Sequence, residues 1–176
     1  LSSEFDLFED TSGTLSFEAV LSHQEEWFTS LPPGVSGYGF SDSAFWIRLP
    51  LENRSQLLDW VLELRFATMD EVDLYWKGAS GEWLHQRSGR MVPMEEKAVV
   101  HRHPRFHVTL PLEEVSTLFL RLKTEEVIVF PLVLWQQDAF HHANTQEQFL
   151  LGLYYGLLMT MMLYHLFIFM ALRDPS

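Results

Sequence analysis

At 176 residues the chain is long enough for one domain plus an appendage, and 24 Asp and Glu against 12 Lys and Arg give it a formal charge of −12. That balance excludes nucleic acid, because displacing counterions from phosphates takes Lys and Arg, and it disfavours docking on anionic lipid; cations, basic proteins and neutral polar ligands stay open. With no cysteine, disulfides, thiolate catalysis and Cys-ligated metal clusters are excluded as well.

The first 47 residues hold eight carboxylates (Glu4, Asp6, Glu9, Asp10, Glu18, Glu25, Glu26, Asp42) and no Lys or Arg. A short helix is expected around Ser16 to Phe28, ahead of the loop Leu31-Pro32-Pro33-Gly34. From there the pattern has a period of two. Phe45, Ile47, Leu49 and Leu51 alternate with Trp46, Arg48 and Glu52; Trp60, Leu62, Leu64 and Phe66 alternate with Val61, Glu63 and Arg65. Val72, Leu74 and Trp76 stand against Asp73, Tyr75 and Lys77, Phe106, Val108 and Leu110 against His107 and Thr109, and Leu118, Leu120 and Leu122 against Arg121 and Lys123. One oily face per segment marks half-buried strands. Turn signals separate them at Glu52-Asn53-Arg54-Ser55, Lys77-Gly78-Ala79-Ser80-Gly81 and Ser88-Gly89-Arg90. Residues 1–140 therefore read as an all-β, jelly-roll-like β-sandwich.

Residues 141–149 read as a juxtamembrane linker and helix start, with Thr145 and Gln148 in capping-box spacing. Residues 150–172 contain no Asp, Glu, Lys or Arg. As a helix they span roughly 34 Å, enough for a hydrocarbon core of about 30 Å. Arg173, Asp174 and Pro175 end that helix, and residues 173–176 begin a cytoplasmic loop if the positive-inside rule holds, leaving everything before Thr145 outside. Gly152 and Gly156 permit close helix approach. His165 is the titratable group within the span, and Tyr154 and Tyr155 suit its outer interface.

Several segments, in order, carry a family resemblance. They are Phe5-Asp6-Leu7-Phe8-Glu9-Asp10, Phe45 to Ser55, Met69-Asp70-Glu71-Val72-Asp73-Leu74-Tyr75, Ser88-Gly89 followed by Pro93, Leu118 to Leu122, Pro131-Leu132-Val133-Leu134, and Gly152-Leu153-Tyr154-Tyr155-Gly156 through Asp174. On these the chain resembles the type-two extracellular sensor domain of bacterial seven-transmembrane receptors with diverse intracellular signalling modules, joined to the first helix of their membrane unit. The resemblance implies a carbohydrate-binding-module-like jelly roll in the periplasm, an inner-membrane anchor, and a kinase or cyclic-dinucleotide output module of the two-component type elsewhere in the receptor.

Two ligand classes have candidate residues. For a divalent cation such as calcium, Glu9-Asp10-Thr11-Ser12-Gly13 offers carboxylates, hydroxyls and a turn. Asp59, a carboxylate inside an apolar run, invites a partner or an ion, with Glu52, Glu63, Asp70 and Asp73 on nearby strands or turns. A solvated acidic face and an outward position at a sheet edge explain the same residues without an ion. For a carbohydrate, Trp46, Tyr75, Trp76 and Trp83 supply flat rings, although large aromatics also serve simply as core. His101, His103 and His107 share parity and suggest a transition-metal site or pH sensor, but Arg102 and Arg105 beside them suit a solvated basic edge equally. His141 and His142 fit a pH sensor or a plain linker, and His85 has no assigned role.

Nucleophile elbows, phosphate-cradling glycine loops and metalloprotease helix motifs are missing from the sequence. The expectation is a binding module without enzymatic activity, sensing a small periplasmic ligand and anchored through residues 150–172. The alternative is a ligand-independent interaction domain that forms a homodimer or pairs with another receptor's sensor.

Overall fold

The structure, a computed structural model, describes residues 5–30, 37–99 and 101–172; the side chains of residues 38, 137–150 and 171 lie outside that description. It divides into two units, residues 1–136 and residues 137–176.

The first unit is built almost wholly of antiparallel strands. In chain order they are β1 (Asp6–Asp10), helices α1 (Phe17–Ser22) and α2 (Gln24–Trp27), β2 (Thr29–Ser30), β3 (Gly37–Phe40), β4 (Ala44–Glu52), β5 (Asp59–Leu64), β6 (Glu71–Lys77), β7 (Trp83–Ser88), β8 (Arg105–Thr109), β9 (Val115–Lys123), β10 (Val127–Val129) and β11 (Leu132–Gln136). A six-stranded sheet runs β2-β1-β4-β9-β6-β7, a three-stranded sheet β11-β5-β8, and β10 pairs with β3. One apolar cluster joins all three: Phe45, Ile47, Leu74, Leu120 and Trp76 come from the large sheet, Leu62, Leu64, Phe106 and Val108 from the three-stranded one, and Ile128 from the pair. The arrangement is sandwich-like, and the residues inside it are those with core parity in the sequence.

The turns follow their chemistry. Asn53 Oδ1 accepts from the Ser55 amide (3.1 Å) while its Nδ2 donates to the carbonyls of Leu57 (2.7 Å) and Leu110 (2.8 Å). Gly89 has φ +129°, and a Cβ there would lie 2.3 Å from the Asp70 carbonyl oxygen, so the chain needs glycine at this point.

The outer face of the large sheet differs from a plain solvated surface. Helix α1, capped by Ser16 Oγ accepting from the Ala19 amide (3.3 Å), lays Phe17 and Val20 over it. These pack with Phe28, Trp46 and Phe119 in a second apolar cluster, with Phe8, Tyr75 and Trp83 at its margin. Trp46 and Phe119 have outward parity yet are buried, because the segment between β1 and β3 covers them.

The second unit is one helix, α3 (Gln137–Leu172). Helix starts at Gln137, not near Thr145, so residues 141–149 are helical and Thr145 lies inside the helix instead of capping it. No Pro or Gly interrupts residues 137–149, and Asp138 sits in the first turn, where a carboxylate favours the positive end of the helix dipole. The side chains of His141 and His142 and the stop at Arg173-Asp174-Pro175 lie outside the described residues. Leu151–Met170 is long and apolar enough to cross a membrane. Its polar groups turn back on the helix itself: Thr160 Oγ1 donates to the Gly156 carbonyl (2.9 Å) and His165 Nδ1 to that of Met161 (2.7 Å). No described neighbour crowds Gly152 or Gly156.

Candidate functional site

Alternation along β4, β6, β7 and β9 sends Trp46, Asp73, Tyr75, Trp83, His85 and Arg121 to the outer face of the large sheet. Residues 15–18 bring Leu15, Ser16, Phe17 and Glu18 across from the α1 side, and the two groups enclose a cleft of about 470 Å³.

Three of the four expected aromatic residues meet there. Trp46 is fully buried in the cleft wall, and its Nε1 has no hydrogen-bond partner among the described residues. Tyr75 stacks against Phe17 (centroids 4.2 Å, 1°) and His85 (4.3 Å, 3°), so its ring faces are covered and its hydroxyl is what it presents. Burial, seconded by the Asp73 charge, pushes that phenol up to about 12, which keeps it a hydrogen-bond donor. Trp83 is half-buried, edge-on to Phe17 (4.8 Å), with the Lys77 ammonium 5.5 Å over its ring. Trp76 is the exception: as core parity dictates, it packs inside the sandwich.

Polar groups at the cleft are organised by ion pairs. Asp73 Oδ1 accepts from His85 Nε2 (2.9 Å) and Arg87 Nε (3.1 Å), and its Oδ2 from Arg121 Nη1 (3.3 Å). Arg121 Nη2 donates to the Gly13 carbonyl (2.9 Å), which ties the segment before α1 to the sheet. Arg121 and His85 had no sequence-level role, because a charged residue at outward parity looks like any solvated one.

Of the seven carboxylates considered for a cation, six (Glu9, Asp10, Glu52, Asp59, Asp70 and Asp73) join no three-donor group among the described residues, and each has its own partners. Asp10 closes a local loop: Oδ1 accepts from the amides of Ser12 and Gly13 (both 3.0 Å) and Oδ2 from that of Leu15 (3.0 Å). Burial opposes its ionisation, but the Ser12 hydroxyl and these amides outweigh it and lower its pKa. Glu9 accepts from Ser43 Oγ (2.7 Å), Glu52 from Arg54 Nε (2.8 Å), and exposed Asp59 from Thr109 Oγ1 (3.2 Å). Asp70 is buried and bound to Arg90 Nη2 (2.8 Å), the Glu125 amide (3.1 Å) and Thr124 Oγ1 (3.2 Å). Asp73 belongs to the aromatic cleft. Asp59, the carboxylate in an apolar run, is exposed to solvent, and protein donors serve the buried Asp10 and Asp70.

Among the described residues, one group of three donors could hold a metal ion: Glu63, His101 and His103. His107 points outward from β8 and stands outside it. Two imidazoles and a carboxylate suit a borderline transition ion better than calcium, which takes oxygen ligands. Both Glu63 oxygens are already engaged, Oε1 by Arg105 Nη2 (2.8 Å) and Nε (3.0 Å) and by His103 Nδ1 (3.3 Å), Oε2 by Trp135 Nε1 (2.8 Å) and Arg65 Nε (3.3 Å). An arriving cation would have to displace these donors and face two guanidinium groups.

Comparison with known proteins gives one match and one blank. The model of a family described as 7TMR-DISM extracellular 2 matches residues 2–136. No curated protein matches the chain.

Proposed function

The chain belongs to the 7TMR-DISM extracellular 2 family and is the extracellular sensor domain of a membrane receptor, and from that premise we propose that it binds a small polyhydroxylated ligand, a carbohydrate, in the cleft between α1 and the large sheet. It faces the bacterial periplasm, with α3 in the inner membrane and the output module elsewhere in the receptor. Its role is binding and not catalysis. Occupancy reaches the membrane as a population shift, the ligand favouring one arrangement of the sandwich.

The observation that carries this reading is the cleft itself. Trp83 offers an apolar edge, the Tyr75 hydroxyl a donor, and Glu18, Asp73 and Arg121 charged partners for hydroxyls, all within one concavity of ligand size. Sugar stacking on Tyr75 is not part of it, because both its faces are taken. Calcium is the weaker ligand candidate, since six of the seven carboxylates considered for it join no three-donor group among the described residues; the ligand-independent pairing domain is the weaker function.

The test is titration of the full chain in detergent micelles with neutral and acidic sugars and with calcium, following tryptophan emission and heat. A saturable response to a sugar that falls about tenfold in Trp83→Ala supports the cleft. Silence towards every sugar, combined with concentration-dependent dimerisation in sedimentation, would replace this reading by the pairing domain.

A further inference from the structure

A second concavity, of about 320 Å³, lies at the end of β7 and is lined by Ala67, Ser88, Gly89, Arg90, Lys97, His101, Arg102 and Pro104. Its charged and titratable lining is basic throughout: Arg90, Lys97, Arg102 and His101, with no carboxylate among the lining residues. On a chain of formal charge −12 this is a local reversal of sign, and a cleft walled by protein focuses such a field. The sugar cleft is different, since Glu18 and Asp73 balance Arg121 there.

The groups have separate duties. Arg90 is tied to Asp70 (2.8 Å) and Glu126 (3.3 Å). Lys97 is half-buried and its ammonium has no carboxylate partner among the described residues. Backbone contacts fix its place against the sheet: Lys97 bridges Arg87, and the Ala98 amide donates to the Arg87 carbonyl (2.9 Å). Ser88 is 2% exposed and lines the cleft, where its hydroxyl can donate or accept. His101 Nδ1 accepts from the His103 amide (3.1 Å), which in the neutral ring leaves Nε2–H as the donor. Gly89 contributes no side chain, and none would fit beside the Asp70 carbonyl.

We propose that this cleft binds a small oxyanion, a phosphate or carboxylate group, held by the Lys97 ammonium, the Ser88 hydroxyl and the His101 imidazole. The site is independent of the sugar cleft, so the receptor domain has places for two ligands of opposite character.

The experiment is calorimetric titration of the full chain in detergent micelles with inorganic phosphate and, separately, acetate, each against sodium chloride of equal ionic strength. Saturable heat with either oxyanion is expected, weakened about tenfold or more in Lys97→Ala, because a charge-assisted hydrogen bond is lost, and less in Ser88→Ala. Trp83→Ala binds the oxyanion as the unaltered chain does, which separates failure here from failure of the sugar site. A chloride control equal to both oxyanions, or a Lys97→Ala protein with unchanged affinity and an unchanged circular dichroism spectrum, would overturn the assignment.

Discussion

Replacing Glu63 by Gln probes the buried hub beneath the three-stranded sheet. The Glu63 side chain is 3% exposed and that of Arg105 7%. Burial alone would raise the carboxyl, yet hydrogen bonds from Arg105 and Trp135, and the Arg105 charge, lower it from the usual 4.5 to about 2. A drop of about 2.5 pH units at about 1.4 kcal/mol each makes the ionised group worth roughly 3 kcal/mol of stability near neutrality. The folded-state pKa lies below the unfolded one, so this stability is fully present above about pH 4.5 and is lost as pH falls towards 2, with about 2 kcal/mol gone between pH 5 and pH 3. Chemical denaturation of the full chain in micelles, followed by tryptophan emission at several pH values, measures it. Asp6, Asp10 and Asp70 also have lowered pKa values and add their own acid sensitivity, so the informative quantity is the gap between the unaltered chain and Glu63→Gln. That gap should narrow by about 2 kcal/mol between pH 5 and pH 3. Parallel curves across this range would refute the assignment of Glu63 as an ionised, donor-saturated hub.

Two other substitutions test the backbone and the membrane segment. Gly89→Ala should lower stability by about 2 kcal/mol or more in the same denaturation assay, because its φ of +129° and the 2.3 Å approach to Asp70 both exclude a Cβ; a loss below about 0.5 kcal/mol would mean that the turn relaxes. Met161→Arg places a charge near the middle of Leu151–Met170 and should add about 2.5–3.5 kcal/mol to insertion, seen as a fall in the membrane-inserted fraction by protease protection; unchanged insertion would argue against α3 as a spanning helix.

The strands were legible because they obey one rule: Phe45, Ile47, Leu49 and Leu51 share a face, and all four are buried in the sandwich. The same rule concealed the site. Outward parity ordinarily means water, and only the packing of Phe17 and Val20 above Trp46 and Phe119 shows why apolar rings belong there. Their presence on the outward face was itself a signal that something covers it. The partners of the carboxylates were hidden for another reason. Composition shows how many there are, whereas convergence depends on tertiary partners such as Arg90 for Asp70 and Arg121 for Asp73, which come from distant strands. Helix α3 ran earlier than its apolar stretch because propensity, and not hydropathy, sets where a helix starts.

The middle of the large sheet joins β4 to β9, with Phe45 opposite Leu122 and Glu52 opposite Val115. Closing a loop of that length before any ladder contact rewards it is entropically slow. During synthesis the first half of the domain therefore has no completed sheet to fold into until β9 emerges. An extracellular domain that crosses a membrane as an unfolded chain would benefit from that delay, since it would close only once its second half had followed it across.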